Sequence, residues 1–245
     1  AIVIPMTYED NPWFTDTLRL EMEYDKRVDP EKYEHIWRGR PKKYSNALIF
    51  KGKIRVESFE TPATVDRFYF GADFGFSTDP TWLGRMFIMD RKLYIDQEFY
   101  GHGIELDELH KGFHSVPGAS KWKIKADSAR PDTISFLRRE FKDKDGKTWP
   151  GLNIVGAEKG KGSVEDGIQF LRGFEEIIIH PRCRGSRDNY ENYKWKVDKN
   201  TKEILPVPAE GSDHAPDGTR YALEDLMKAT GTVFVASLKH STDPD

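Results

Sequence analysis

"RFYFGADFG", residues 67–75, decides the fold, because its side chains alternate. Phe68, Phe70 and Ala72 fall on one side, and Tyr69, Gly71 and Asp73 on the other. Period two over this length predicts a strand with one face on a core. The strand ends on Asp73, and a loop-like run, "FGFSTDP", follows. Two more strands come next, "TWLGRMFIM" and "KLYIDQEFY", joined by the short polar turn "DRK". Short turns between three strands predict an antiparallel meander.

Downstream the pattern becomes helix, strand, helix, strand, helix, strand. "IELDELHKGFH" carries Ile104, Leu106 and Leu109 at helical spacing. "KWKIKADSA" is a strand with Trp122, Ile124 and Ala126 on one face, and Asp127 at its end. "PDTISFLRREF" has proline in its first turn and Ile134, Leu137 and Phe141 inward. "LNIVGAE" is a strand, "SVEDGIQFLRGF" a helix opening on a Ser163/Asp166 capping-box pattern, and "EEIIIHP" a buried strand. This order predicts an α/β fold: a mixed sheet flanked by helices, with an antiparallel edge followed by parallel crossovers. "NYKWKVDKNTKEILPVP" then reads as a polar hairpin turning near Asp198–Asn200.

Upstream, residues 1–45 differ in kind and read as a helical appendage, against a main domain over 46–235 and a loose tail over 236–245. Thr15 or Asp16 caps a first helix there. Asp29-Pro30 starts a second, with Tyr33, Ile36 and Trp37 on one face until Gly39 stops it. The chain lacks an initiator Met and opens in mid-strand style, as a piece of a longer protein would.

With 37% hydrophobic and 32% charged residues, the chain has the means for a core beneath a heavily charged surface. A net charge of −3 gives no basic footprint, so affinity for a polyanion must come from local patches or bound cations. One cysteine, Cys183, excludes an internal disulfide and suits a reducing cytosol. No apolar run approaches the roughly 20 residues of a membrane span, so no membrane partner is expected.

The candidate chemistry lies in the acids. Asp73 and Asp127 end strands that belong to one sheet, and the carboxyl ends of such strands share a crevice with nearby helix starts. In "SDHAPDGTRYALEDL", residues 212–226, Asp217 opens a helix with His214 one turn earlier. Each acid taken singly reads equally well as a turn former or a helix cap. Together they suit hard divalent cations, Mg²⁺ or Mn²⁺, since crowded carboxylates either take up protons or bind cations. Two such ions would serve in-line displacement at phosphorus. Zinc is disfavoured by the lack of Cys/His spacing.

"YFGADFG", "KADSARPD", "EKGKGSVEDGI" and "SDHAPDGTRYAL", in that order, resemble the nuclease domain of large terminase subunits of tailed bacteriophages. The resemblance covers about residues 8–228, including the upstream "NPWF…DPEKYEHIWRGR", which is similar to the family's linker from an ATPase domain. It implies an RNase H-like fold and a metal-dependent endonuclease cutting double-stranded DNA, with little sequence preference, during genome packaging. It implies Asp73, Asp127 and Asp217 as metal ligands for two ions, and His214 as a ligand or proton donor. Asp213 has no counterpart and stays a cap. It further implies a packaging-motor ATPase domain, a portal and a small terminase subunit as partners, in the host cell cytoplasm. No P-loop motif is present in this chain, so no ATPase activity is expected from it.

For the DNA, Lys159 and Lys161 lie on the "EKGKGS" loop beside the expected crevice. Arg184, Arg187, Lys194 and Lys196 are interleaved with Tyr190, Tyr193 and Trp195 in what reads as one basic, aromatic hairpin, which suits lying along DNA or covering the site and equally a solvated edge whose lysines discourage aggregation. Arg220, one turn after Asp217, either pairs with the carboxylates or meets a phosphate. Two alternatives remain open at this point: another RNase H-like enzyme, such as a junction resolvase or integrase, and a non-catalytic docking module of a packaging motor.

Overall fold

In the computed structural model the described residues are 7–28, 33–34, 36–39, 47–75, 79–160 and 162–229. They fall into two compact units, Ala1–Asn46 and Ala47–Asp245. In the smaller unit a 3₁₀ turn, Tyr8–Asp10, precedes α1 (Asp16–Val28). Thr15 caps α1, its hydroxyl accepting from the Leu18 N–H at 3.3 Å. Met22, Tyr33 and Trp37 form a small core, and the Trp37 indole donates to the buried Asp25. Ile36 departs from the expected face and is 54% exposed. The Asp29-Pro30 cap lies outside the described residues.

The larger unit begins with β1 (Ile54–Val56), β2 (Tyr69–Asp73), β3 (Pro80–Met89) and β4 (Lys92–His102). Next come α2 (Leu106–His114), β5 (Ile124–Ala126) and α3 (Pro131–Leu137). A small hairpin of β6 (Phe141–Lys142) and β7 (Thr148–Trp149) leads to β8 (Ile154–Gly156), α4 (Ser163–Arg172) and β9 (Ile177–Ile179). The chain continues through α5 (Arg184–Asn192), β10 (Trp195–Val197), β11 (Ile204–Pro208) and α6 (His214–Ala222). Helical backbone resumes over 224–229. Among the described residues no helix is long and apolar enough to cross a membrane.

Seven strands form one mixed sheet in the order β1-β9-β4-β3-β2-β5-β8. The meander β2–β4 is antiparallel, and its β3–β4 turn is tight: Asp90 and Arg91 both have positive φ, 50° and 60°. That handedness matches the twist of the flanking strands. All other pairings in this sheet are parallel. The meander therefore lies at the centre of the sheet, not at the edge that the sequence suggests, because β9 returns to pair with β4. Ile177, Ile178 and Ile179 are wholly buried, so β9 has helices or loops on both faces and needs a covered position.

The alternation read in β2 is realised. Phe70 and Ala72 pack with Leu83, Phe113, Ile124, Ala126 and Leu137 on one face. The other face holds Trp82, Met86, Leu93, Ile95, Ile168, Leu171 and residues of α5 and α6. Large side chains buried this completely each contribute about 1.5–3 kcal/mol.

Three local expectations change. α3 stops at Leu137, and the chain turns into β6–β7, whose ladder joins Phe141 to Trp149. The cap of α4 is Gly162, in the left-handed region at φ 81°, with no side-chain cap bond; Ser163 is already helical. "RCRGSRDNYEN" is not hairpin but α5, and only the β10–β11 pair forms the expected hairpin. α5 is held from far along the chain: the Glu98 carboxylate accepts from the Gly185 and Ser186 N–H groups, both at 2.8 Å. An anion at a helix N-terminus satisfies free donors and suits the dipole. The expected tail, 236–245, lies outside the described residues.

Candidate active site

β2 and β5 are parallel neighbours, with Ala72 opposite Ala126, and the Asp127 N–H donates to the Ala72 carbonyl at 3.1 Å. Asp73 and Asp127 thus stand side by side at the carboxyl ends of adjacent strands, roughly 4.8 Å apart in backbone terms. α6 crosses the same end. Its approach needs the absence of two side chains. A Cβ on Gly71 would lie 1.8 Å from the Gly218 carbonyl oxygen, and one on Gly218 would lie 2.4 Å from the Trp82 ring. Trp82 is itself pinned, its indole donating to the Ser186 hydroxyl at 3.0 Å and to Glu98 at 3.2 Å. The first turn of α6 is tied to α5 by the Ala215 N–H, which donates to buried Asn189 at 2.9 Å.

This seating delivers His214 to Asp73: Nδ1 donates to Oδ2 at 2.7 Å, both side chains being mostly buried. Asp217 pairs instead with Arg220, Nη2 to Oδ1 at 2.8 Å, and Asp127 pairs with the ammonium of Lys159. Each of the three carboxylates therefore has its own basic partner, of which Arg220 and Lys159 are cations and His214 is one only when protonated. Among the described residues no group of three or more His, Cys, Asp or Glu side chains is close enough to hold a metal ion as they stand. The acids share one end of the sheet without forming one cage.

The protonation of Asp73 and Asp217 reflects burial first and that crowding second. Burial holds the Asp73 carboxyl above the usual range, and the charges of Asp127 and Asp213 add to it against the His214 bond. Burial pushes Asp217 up to about 6, with Arg220 opposing and Asp73 and Asp213 reinforcing. Burial works against charge on His214, yet the bond and charge of Asp73, with Asp213 and Asp79, carry its pKa above the ordinary value.

Asp213 is therefore more than the cap expected of it. Its side chain makes no cap bond, and its charge acts on Asp73, Asp217 and His214. Its place next to His214 in "SDHAPD" was the available signal.

The basic residues separate. Lys159 is in the site, 46% exposed, and Lys161 lies outside the described residues. Arg220 resolves toward the carboxylate: it is 7% exposed, and its Nη1 donates to the Ser163 carbonyl at 3.2 Å, so it is not presented to a phosphate. Arg184 and Arg187 lie on α5, with Arg187 paired to Asp188. Lys194 and Lys196 are exposed at the β10 end of the hairpin. Tyr190 and Tyr193, expected to face DNA, are 1% exposed and belong to the core beside Phe50. Tyr190 near the end of α5 and Tyr193 at its C-cap both turn inward, where a strand would have put residues three apart on opposite faces.

The profile of the terminase RNase H-like domain matches residues 73–225, more than half of the chain. The protein belongs to the terminase RNase H-like domain family. The large terminase subunit of Bacillus phage SPP1 is 32% identical over 232 residues, 92% of this chain and 52% of that protein. The PBSX phage terminase large subunit of Bacillus subtilis is 24% identical over 229 residues, 91% of this chain and 50% of that one. The terminase chain thus spans about half the length of these relatives. Among solved structures, the SPP1 large-terminase nuclease domain, crystallised with bound Mn, superposes with a TM-score of 0.60 at 27% identity. That match covers 71% of this chain and 97% of the SPP1 domain. The large terminase of a thermophilic bacteriophage shares the fold, with a TM-score of 0.51 at 17% identity over 90% of this chain and 55% of that one. The mixed seven-stranded sheet flanked by helices is the RNase H-like fold of these terminase nucleases.

Proposed function

We propose that this terminase domain is a metal-dependent endonuclease that cuts double-stranded DNA, with little sequence preference, during phage genome packaging. The observation that carries the reading is the grouping of three carboxyls at one sheet end, of which Asp73 and Asp217 are mostly buried and are held toward protonation by that burial and then by neighbouring carboxylate charge. Such a set gains most from divalent cations bound by oxygen ligands. An SPP1 relative that binds Mn supports the same choice of ion. Asp73, Asp127 and Asp217 would hold two Mg²⁺ or Mn²⁺ ions, with His214 completing the set. Bound there, the ions would supply an activated water and stabilise the leaving oxygen in line with it.

The chain's own groups do the rest. Asp73 keeps a proton on the Nδ1 side of His214, which sets the ring's orientation and leaves Nε2 as the nitrogen for a ligand or for the departing 3′ oxygen. Arg220 fixes the carboxylate of Asp217 from within the core. Lys159 is the cation best placed to meet a phosphate. Lys161, Arg184, Arg187, Lys194 and Lys196 remain candidates for more distant backbone contacts. Residues 1–45 would be the linker from a motor ATPase domain. That domain would hold the nuclease near DNA, in the host cytoplasm and in company with portal and small subunit. ATP hydrolysis would belong to it and not to this chain.

Supercoiled plasmid incubated with Mn²⁺, Mg²⁺ or EDTA tests the reading. Nicking and linearisation are expected with the ions and none with EDTA. Cutting that survives EDTA sinks it, a strong preference for branched over linear DNA shifts it to a junction resolvase, and no cutting leaves a docking module.

The pH dependence has a definite sign. A carboxyl whose pKa is raised holds its proton until the pH passes that value, and the proton competes with the cation. With Asp217 at about 6, only about a tenth of it is ionised at pH 5. Mn²⁺ affinity measured calorimetrically should therefore fall by roughly tenfold or more between pH 7.5 and pH 5. A flat profile there contradicts the role given to Asp217.

A further inference from the structure

We infer that Lys159 is a tethered counter-ion that holds Asp127 until a divalent cation displaces it, so that metal binding itself turns an ammonium toward the substrate phosphate. The inference rests on the metal-dependent reading above and adds the order of events. Of the three basic partners of the acids, Arg220 and His214 are locked in place, by the Ser163 carbonyl and by a mostly buried setting. Lys159 is different. Its side chain is 46% exposed, and its ammonium reaches Asp127 from the solvent edge on a flexible stem. With its lysine exposed and only Asp127 mostly buried, the pair is held less firmly than a buried one, and a divalent ion outcompetes a monovalent one for the same carboxylate.

The loop is built to aim this side chain. The Glu158 N–H donates to Glu224 at 3.1 Å, and Glu224 is only 4% exposed. Glu224 also takes the ammonium groups of Lys125 and Lys228, and Lys228 reaches back to the Glu158 carboxylate at 2.7 Å. The residue before Lys159 is thereby fixed from strand β5 and from the last helical turn. After Lys159 no side chain crowds the backbone: a Cβ on Gly160 would meet nothing within 4 Å and Gly162 has φ +81°, while the Gly160 carbonyl accepts from the Ser163 N–H at 3.2 Å. A second resting place is at hand, since the Lys159 ammonium lies 5.8 Å from the centre of the Tyr221 ring.

The test compares the chain with Lys159→Ala and Lys123→Ala, titrating MnCl₂ calorimetrically into EDTA-treated, dialysed protein and then measuring plasmid nicking at saturating Mn²⁺. Lys123 supplies a control of equal charge change, paired with Asp225 at the opposite end of β5. Lys159→Ala should bind Mn²⁺ roughly three- to tenfold tighter, with Lys123→Ala within about twofold of wild type. Lys159→Ala should also need more plasmid to reach half its maximal rate. Tighter metal with poorer substrate use is a pair of signs that a purely structural lysine does not produce. Equal Mn²⁺ affinity in Lys159→Ala and wild type, or equal tightening in Lys123→Ala, overturns the counter-ion and leaves metal-dependent cutting standing. Absence of Mn²⁺ binding in all three proteins overturns both.

Discussion

Asp73→Asn should lose Mn²⁺-dependent nicking by roughly 10³-fold while staying folded and unfolding at an equal or higher temperature. The two halves of that expectation come from one fact. Burial and the neighbouring charges of Asp127 and Asp213 hold the Asp73 carboxyl above its usual range. A carboxyl whose folded pKa exceeds its unfolded value stabilises the fold only while protonated, and that contribution is lost as pH rises through the folded pKa. At pH 8 the ionised group is a burden on the fold, which a neutral amide of the same shape removes. The same amide removes the negative charge on which a divalent cation would depend. His214 provides an internal check. Asp73 is the leading cause raising its pKa, against burial, so its imidazole should titrate lower in Asp73→Asn when followed by NMR. Loss of nicking with an unmoved His214 titration would mean that the contact at 2.7 Å is not kept in solution. Retained nicking would remove Asp73 from the chemistry altogether.

The meander was legible because alternation and turn length are local properties. "DRK" lacks the usual Asn or Gly, yet its length alone forces Asp90 and Arg91 into the left-handed region. The place of the meander in the sheet was not legible. Ile177–Ile179 shows no alternation, and nothing in three isoleucines says which edge they will join. β1 is three residues long and gave no periodic signal at all. α5 is a strongly polar helix whose N-terminus is satisfied by Glu98, some 87 positions away, so its cause is tertiary.

The site divides in the same way. Asp73, Asp127 and Asp217 could be placed at element ends from sequence alone, and Arg220 three residues after Asp217 had that carboxylate as one of its two readings. The pairing of Asp73 with His214 spans 141 positions, and that of Asp127 with Lys159 joins a strand end to a glycine-rich loop. These contacts depend on how closely α6 and residues 158–160 approach the sheet, which periodicity does not encode. Glu224 was invisible for a related reason: a glutamate in a helical run reads as surface, and the buried Lys125 beneath it, the Glu158 N–H and Lys228 make it structural.

That close approach can itself be tested. Gly71→Ala should destabilise the metal-free protein by about 3 kcal/mol or more and should separate His214 from Asp73 in whatever fraction still folds. The added Cβ would lie 1.8 Å from the Gly218 carbonyl oxygen, 2.7 Å from its carbon and 2.9 Å from the Ala222 Cβ. The nearest obstacle is backbone on both sides. A flexible side chain can rotate away, but here either β2 must bulge or α6 must lift. Lifting α6 strips the cover from Trp82, which is fully buried beneath Gly218 and held by Ser186 and Glu98. Bulging β2 breaks its register with β5, on which the adjacency of Asp73 and Asp127 depends. Either route costs packing and geometry together. Adding Ala222→Gly should not rescue the variant, because it relieves the 2.9 Å contact and leaves the 1.8 Å one. Gly160→Ala is the reference, since its Cβ would meet nothing within 4 Å and its unfolding free energy should stay within about 0.5 kcal/mol of wild type. Urea unfolding of the three variants decides the matter. A Gly71→Ala protein as stable as wild type would show that α6 does not rest on β2, and the assembly of the site from a strand end and a helix start would fall with it.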